Sequence, residues 1–192
     1  MKYLIAGLGN IGSEYDGTRH NIGFDVADAL VNDAEGKFEQ GRKVHVAHIR
    51  HKGRTLIVIK PTTYMNLSGE AVQYWMQQEK ISLENLLVVT DDLALPYGTL
   101  RLRPKGGSAG HNGLVSIIEC LGTENFPRLR FGIGSDFAKG HQVRFVLSRW
   151  EKNELELLPA RIKTACDIVK GFTTMGLQQT MNLYNTKNLR ES

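Results

Sequence analysis

The sequence is poor in cysteine and has no long apolar run. Cys120 and Cys166 are its only cysteines, far apart and outside any C-x-x-C pair. That excludes a disulfide scaffold or a zinc ribbon and fits a reducing compartment. No stretch approaches the ~18 apolar residues of a membrane span. The opening "MKYLIAGLGN" has only a short apolar run before its first glycine, unlike a signal peptide. The expectation is a cytoplasmic protein with no membrane contact. Internal repeats and long linkers are missing, and neither charge sign dominates. The net charge is +4 and the isoelectric point about 9.1, so an anionic partner such as RNA is allowed but not demanded. Two chemical signatures are also missing. Ser68 sits in "NLSGE" and not in G-x-S-x-G, and neither cysteine lies in a nucleophile motif, which leaves water as the plausible nucleophile. No RNA-recognition sheet motif with stacked aromatics occurs.

What is present is an ordinary globular composition, 41% hydrophobic and 23% charged over 192 residues, enough for one domain spanning 1–192. Residues 3–6 form a short apolar run, read as a buried strand. Residues 21–31 place Ile22, Val26, Ala29 and Leu30 at helical spacing. Residues 43–50 and 54–60 flank "HKG" and read as a hairpin. A helix starts near Asn66. "LENLLVVT" is a buried strand that ends at Asp91 and Asp92. "PYGTLRLRPKGG" is a turn, a strand and a glycine-rich loop. "HNGLVSIIECLG" is a helix stopped by Gly122, and "RLRFGIG" is a short strand. Residues 135–145 are polar and read as flexible. Two helical stretches follow (151–172 and 174–186), then a frayed tail, "KNLRES". Strands alternating with helices indicate a single α/β domain, and the hairpin implies a mixed sheet flanked by helices, with a C-terminal helical segment.

The N-terminal "GLGNIG" spells G-x-G-x-x-G after a strand, the dinucleotide-binding pattern. That pattern requires a helix at once and an acidic residue at the end of a second strand. Here "SEYDGTRH" intervenes, and Asp28 and Asp33 lie on or just after the helix that follows. The better reading is that the glycines turn the backbone at a strand's carboxyl end, where α/β proteins place ligands.

His20 is the leading candidate for chemistry. It sits on that loop just before a helix, and imidazole can act as a base near neutral pH. A base needs an orienter, and Asp91 or Asp92 ends a strand where a carboxylate could fix the ring's tautomer. His111 opens another helix. Whether it lines the cleft or only caps the helix is open. His45, His48 and His51 form H-x-x-H-x-x-H, but on a strand His45 and His48 point to opposite faces, so no metal is expected. Asn10, Asn66 and Asn112 could read a peptide backbone, since each amide donates and accepts. Asn66 and Asn112 also precede helices, where capping alone would account for them. Arg101, Arg103, Lys105, Arg128 and Arg130 could clamp phosphates.

Together, "GLGNIGSEYDGTRHNIGF", "KPTTYMNLSGEAV", "DDLALPYGTLRLRPKGGSAGHNGLVSII" and "FPRLRFGIG" resemble the bacterial peptidyl-tRNA hydrolases, in family order from residue 3 to about 134. The resemblance implies hydrolysis of the ester joining a peptide to tRNA, which recycles the tRNA. It also implies no cofactor, and a monomer whose partner is the acceptor arm and CCA end of peptidyl-tRNA. It assigns His20 as base, Asp91 as its orienting carboxylate and Asn10 as the residue that helps tell blocked from free aminoacyl groups. Tyr15, Tyr64, Met65, Asn66 and Asn112 match substrate-contacting positions. Arg103, Lys105 and Arg130 lie near the tRNA-contacting ones. The departure is Ile11, where the family carries proline, so a looser loop is expected. The alternative is a non-catalytic RNA-binding relative. The retained His20, Asp91 and asparagines speak against it.

Overall fold

The computed structural model describes residues 1–185, so the tail "KNLRES" expected to fray lies outside the described residues. Among the described residues, seven strands build one mixed sheet in the order β2-β3-β4-β1-β5-β7-β6. At its centre β1 (Lys2–Gly7) runs parallel to β4 (Arg54–Pro61) and β5 (Leu86–Asp92), and β5 runs parallel to β7 (Arg128–Gly132). The expected hairpin pairs β3 (Val44–His51) antiparallel with β4, and β2 (Glu39–Gly41) extends it. β6 (Leu100–Arg103) closes the other edge antiparallel to β7.

Alternation along the central strands splits the core in two. Tyr3 and Ile5 of β1 and Leu87 and Val89 of β5 face one layer. That layer is completed by Val26 and Leu30 of α1 (Ile22–Asp33) and by Ile168, Val169 and Phe172 of α5 (Lys152–Thr174). Leu4, Ala6, Leu86 and Val88 face the other layer. It is completed by Val72 and Trp75 of α2 (Ser68–Glu79) and Leu114 and Ile117 of α3 (Asn112–Leu121). Each fully buried Val, Leu, Ile or Phe among them contributes about 1.5–3 kcal/mol. The last helix, α6 (Leu177–Tyr184), leans on β6 through Asn185, whose side chain bonds Leu102 N–H and C=O at 2.9 and 3.0 Å. Among the described residues no helix is long and apolar enough to cross a membrane.

Two elements depart from expectation. β2 is three residues long, too short for a period-2 signal. Residues 135–145, read as flexible, contain part of a short helix, α4 (Gln142–Val146), which buries no side chain fully and so has no apolar stripe to announce it. The glycine pattern serves the α1–β1 junction. A Cβ on Gly7 would stand 2.2 Å from Gly23 O, so the start of α1 sits directly on the end of β1. Gly12 turns the chain at φ 120°, a conformation that favours glycine. No helix follows Gly12 directly, only short 3-10 turns at Ser13–Tyr15 and Arg19–Asn21.

Candidate active site

The carboxyl ends of β1, β4, β5 and β7 open at one edge of the sheet, where α/β folds form ligand crevices. A cleft of about 970 Å³ lies there, and its lining includes Asn10, His20, Met65, Asp91 and His111. The Gly7–Gly23 contact presses the start of α1 against β1 and brings His20 over the end of β5. His20 Nδ1 donates to Asp91 Oδ2 at 2.8 Å, which leaves Nε2 for the cleft. Asp91 holds a second imidazole: His111 Nε2 lies 2.8 Å from Asp91 Oδ1 and 2.8 Å from Thr90 Oγ1. His111 Nδ1 accepts the N–H groups of Gly113 and Leu114 at 3.1 and 3.3 Å. Its proton is therefore on Nε2, pointed at the carboxylate. His111 thus caps α3 and lines the cleft at once, which joins the two alternatives left open by the sequence.

Burial alone would push the Asp91 carboxyl up. His111 and His20, by charge and by hydrogen bonds, outweigh it and hold the group well below the usual carboxylate range. Asp91 is thus a fixed negative charge between two rings whose centroids are 5.0 Å apart. These three residues are also the one close grouping of metal-ligand types among the described residues. Their 2.8 Å nitrogen–oxygen separations are hydrogen-bond lengths. His45, His48 and His51 all lie on β3 and form no such grouping.

Asn10 is buried and locked. Its Oδ1 accepts Met65 N–H at 2.7 Å, so its –NH2 is left as the donor. Asn21, which sequence reasoning passed over, accepts Asn10 N–H and donates to Asn10 C=O, both at 2.9 Å. These two bonds tie the loop to α1 beside Ile11, where the family carries proline. Nothing local in the sequence could reveal them, since the partners are eleven residues apart and the link depends on the α1–β1 junction.

Asn66 and Asn112 are both exposed on the cleft wall. Neither caps a helix: α2 has Leu67 at its N-cap, and α3 is capped by His111. Tyr64 is 56% exposed beside them. Tyr15 is half-buried and lies outside the cleft lining, where its carbonyl accepts the Thr18 hydroxyl at 2.7 Å.

Of the basic set, Arg103, Lys105 and Arg130 reach the cleft, with Arg130 paired to Asp92. Arg128 also borders it, yet it is 1% exposed, and its guanidinium donates to the carbonyls of Gly106, Glu124 and Phe126. It shapes the glycine loop instead of clamping phosphate. Arg101 is engaged with Asn185 C=O at 2.8 Å. A further wall comes from Phe137, Val143, Val146 and Leu147 on and around α4. Ser68 is buried and donates to Met65 C=O at 2.8 Å, and burial pushes the Cys166 thiol up to about 12. Neither is placed to act as nucleophile.

A carboxylate-held imidazole in an open cleft at this edge of an α/β sheet defines a class: hydrolytic enzymes in which a general base makes water the nucleophile. The family follows from likeness to known proteins. The family described as peptidyl-tRNA hydrolase matches residues 4–192, and the chain belongs to it. It is 60% identical to a peptidyl-tRNA hydrolase of Cytophaga hutchinsonii over 97% of this chain and 100% of that one. Identity to one from Phocaeicola vulgatus is 58% over the same shares. Among solved structures, the peptidyl-tRNA hydrolase of Acinetobacter baumannii superposes with a TM-score of 0.90 at 34% identity, covering 95% of this chain and 94% of that one.

Proposed function

We propose that the chain hydrolyses the ester between peptide and tRNA in peptidyl-tRNA, with His20 as general base and Asp91 as its orienting group. The observation that carries the assignment is the His20 Nδ1–Asp91 Oδ2 bond at the cleft floor. His20 Nε2 takes a proton from water, the water oxygen attacks the ester carbonyl carbon, and the ribose oxygen leaves with a proton. General-base help of this kind is worth ~10²–10⁴ in rate. The exposed Asn66 amide is the candidate donor to the oxyanion, a contribution of about 2.7–4 kcal/mol. Asn10, with its oxygen already spent on Met65 N–H, offers –NH2 to a carbonyl. With Asn112 it reads the first peptide linkage. A free aminoacyl-tRNA lacks that linkage and brings an ammonium group against a donor, so these groups go unpaired and the substrate is rejected.

Met65 and Tyr64 form the wall beside the acyl group, and Tyr15 braces the loop that carries His20. Arg103, Lys105 and Arg130 meet the phosphates of the CCA end and acceptor arm. The chain acts as one catalytic domain and a monomer in the cytoplasm, with no cofactor in the scheme. The test compares wild type and His20→Ala on N-acetyl-aminoacyl-tRNA and on unblocked aminoacyl-tRNA. Wild type should cleave only the first and the variant neither. Full activity in His20→Ala would overturn the base assignment. Wild type that cleaves neither but binds RNA with a steep salt dependence would mark a non-catalytic relative.

A further inference from the structure

Arg19 precedes His20 in the chain and takes no part in the chemistry above. Its side chain is 4% exposed, a rare state for arginine. Its guanidinium donates to Glu154 Oε1 at 2.7 Å, to Arg149 C=O at 2.8 Å and to the Ser148 hydroxyl. It also lies 4.3 Å above the Phe145 ring of α4 and 5.5 Å from the ring of Trp150. The backbone repeats the link. Arg19 N–H donates to Ser148 C=O at 3.0 Å, Thr18 bridges to Arg149, and Arg149 reaches back to Asp16 C=O at 2.7 Å. Glu154 is itself fixed, because the same Oε1 accepts Glu151 N–H at 2.8 Å in the capping box of α5. Phe145 packs on Phe137 with ring centroids 5.0 Å apart, and Phe137 lines the cleft with Val143, Val146 and Leu147.

We propose that Arg19 is a positioning residue that fixes the apolar α4 wall at a set distance from His20, so that base and peptide-gripping wall are held as one unit. The proposal rests on the reading that peptidyl-tRNA occupies this cleft. His20 keeps its own anchor in Asp91 when Arg19 is lost, so it is the wall that shifts. A longer peptide reaches Val143 and Leu147, which are 71% and 37% exposed. An N-acetyl-aminoacyl group, reaching only the floor, does not. The clamp therefore acts on the use of the peptide's apolar side chains more than on the ester itself. Misplacement of order 1 Å can cost up to ~10²-fold in rate.

The readout is the ratio of kcat/KM for an N-acetyl-tripeptidyl-tRNA with apolar side chains to that for N-acetyl-aminoacyl-tRNA. A smaller fraction of folded enzyme scales both values equally and leaves this ratio unchanged. Wild type should favour the tripeptidyl substrate. Arg19→Lys keeps the charge but loses the fork, and it should lower the ratio roughly tenfold. Phe145→Leu removes the stacked ring and should lower it in part. Glu154→Gln keeps an acceptor oxygen for both of its donors and should retain most of it. Equal use of both substrates by wild type overturns the proposal. So does an unchanged ratio in a cleaving Arg19→Lys or, if that variant does not fold, in Phe145→Leu. Residual full cleavage by His20→Ala would instead strike the reading beneath it, whatever Arg19 does.

Discussion

Asn10 and Asn66 have the same side chain and line the same cleft, but they belong to different regions. Asn10 is on a floor where polar atoms are committed: its oxygen to Met65, its backbone to Asn21, and, beside it, Asp91 to two histidines. Asn66 is on a rim with Tyr64, Leu67 and Asn112, all exposed. In the proposed reaction the floor meets the reacting atoms in a geometry set by folding, so little reorganisation remains for that step. The rim leaves its donors and apolar surface for the substrate to complete. A floor residue therefore has a folding role as well as a chemical one, whereas a rim residue has only the second.

The largest effect that separates the regions is expected at Asp91. Asp91→Asn keeps the shape but sets an amide where a carboxylate accepted from two rings. Steady-state kinetics should show kcat down on the order of 10³–10⁴-fold, with thermal stability reduced as well. Next comes the pair of asparagines. Asn10→Ala leaves the buried Met65 N–H without its acceptor, at a cost of about 1–3 kcal/mol, so both melting temperature and activity should fall. Asn66→Ala should lower kcat by ~10²–10³-fold with the melting temperature unchanged. Equal melting temperatures for the two variants would erase the distinction between floor and rim.

The smallest effect is expected behind the floor, in a pocket shared by Asn10, Ile11, Asp25 and Lys60. Burial, with Asp28 and Asp16 nearby, pushes the Asp25 carboxyl up to about 7 against the pull of Lys60. Between the ordinary aspartate pKa of ~3.9 and about 7, the folded chain then holds a proton that the unfolded chain releases, and stability falls as pH rises through that window. Asp25→Asn removes the penalty. Thermal melts should show it stabilising the fold by a few degrees, more at pH 8 than at pH 5.

The floor and the rim also differed in how legible they were. The continuous apolar runs "YLIA" and "LLVV" and the helical spacing from Ile22 marked the central layers, because strands covered on both faces carry no polar positions. Gly122 marked the end of α3 through its left-handed turn, at φ 71°. His20 and Asp91 were legible as strand-end residues and through family resemblance. Three features were not. His111's dual bond, Asn21's grip on Asn10 and Arg128's turn inward join residues up to twenty-two positions apart, through geometry that the packed sheet creates. α4 escaped for another reason: five residues with no fully buried side chain leave no periodicity to read.

His111 and Asn112 are consecutive residues at the start of α3. The first steadies the carboxylate beneath the base, and the second stands on the rim. One peptide plane therefore joins the two regions. Any shift of that helix end to suit a different acyl group also moves the donor that holds Asp91. The range of peptides this cleft can evolve to accept is tied to the upkeep of its own base on both sides, through His111 at the α3 end and through Arg19 at the α4 wall.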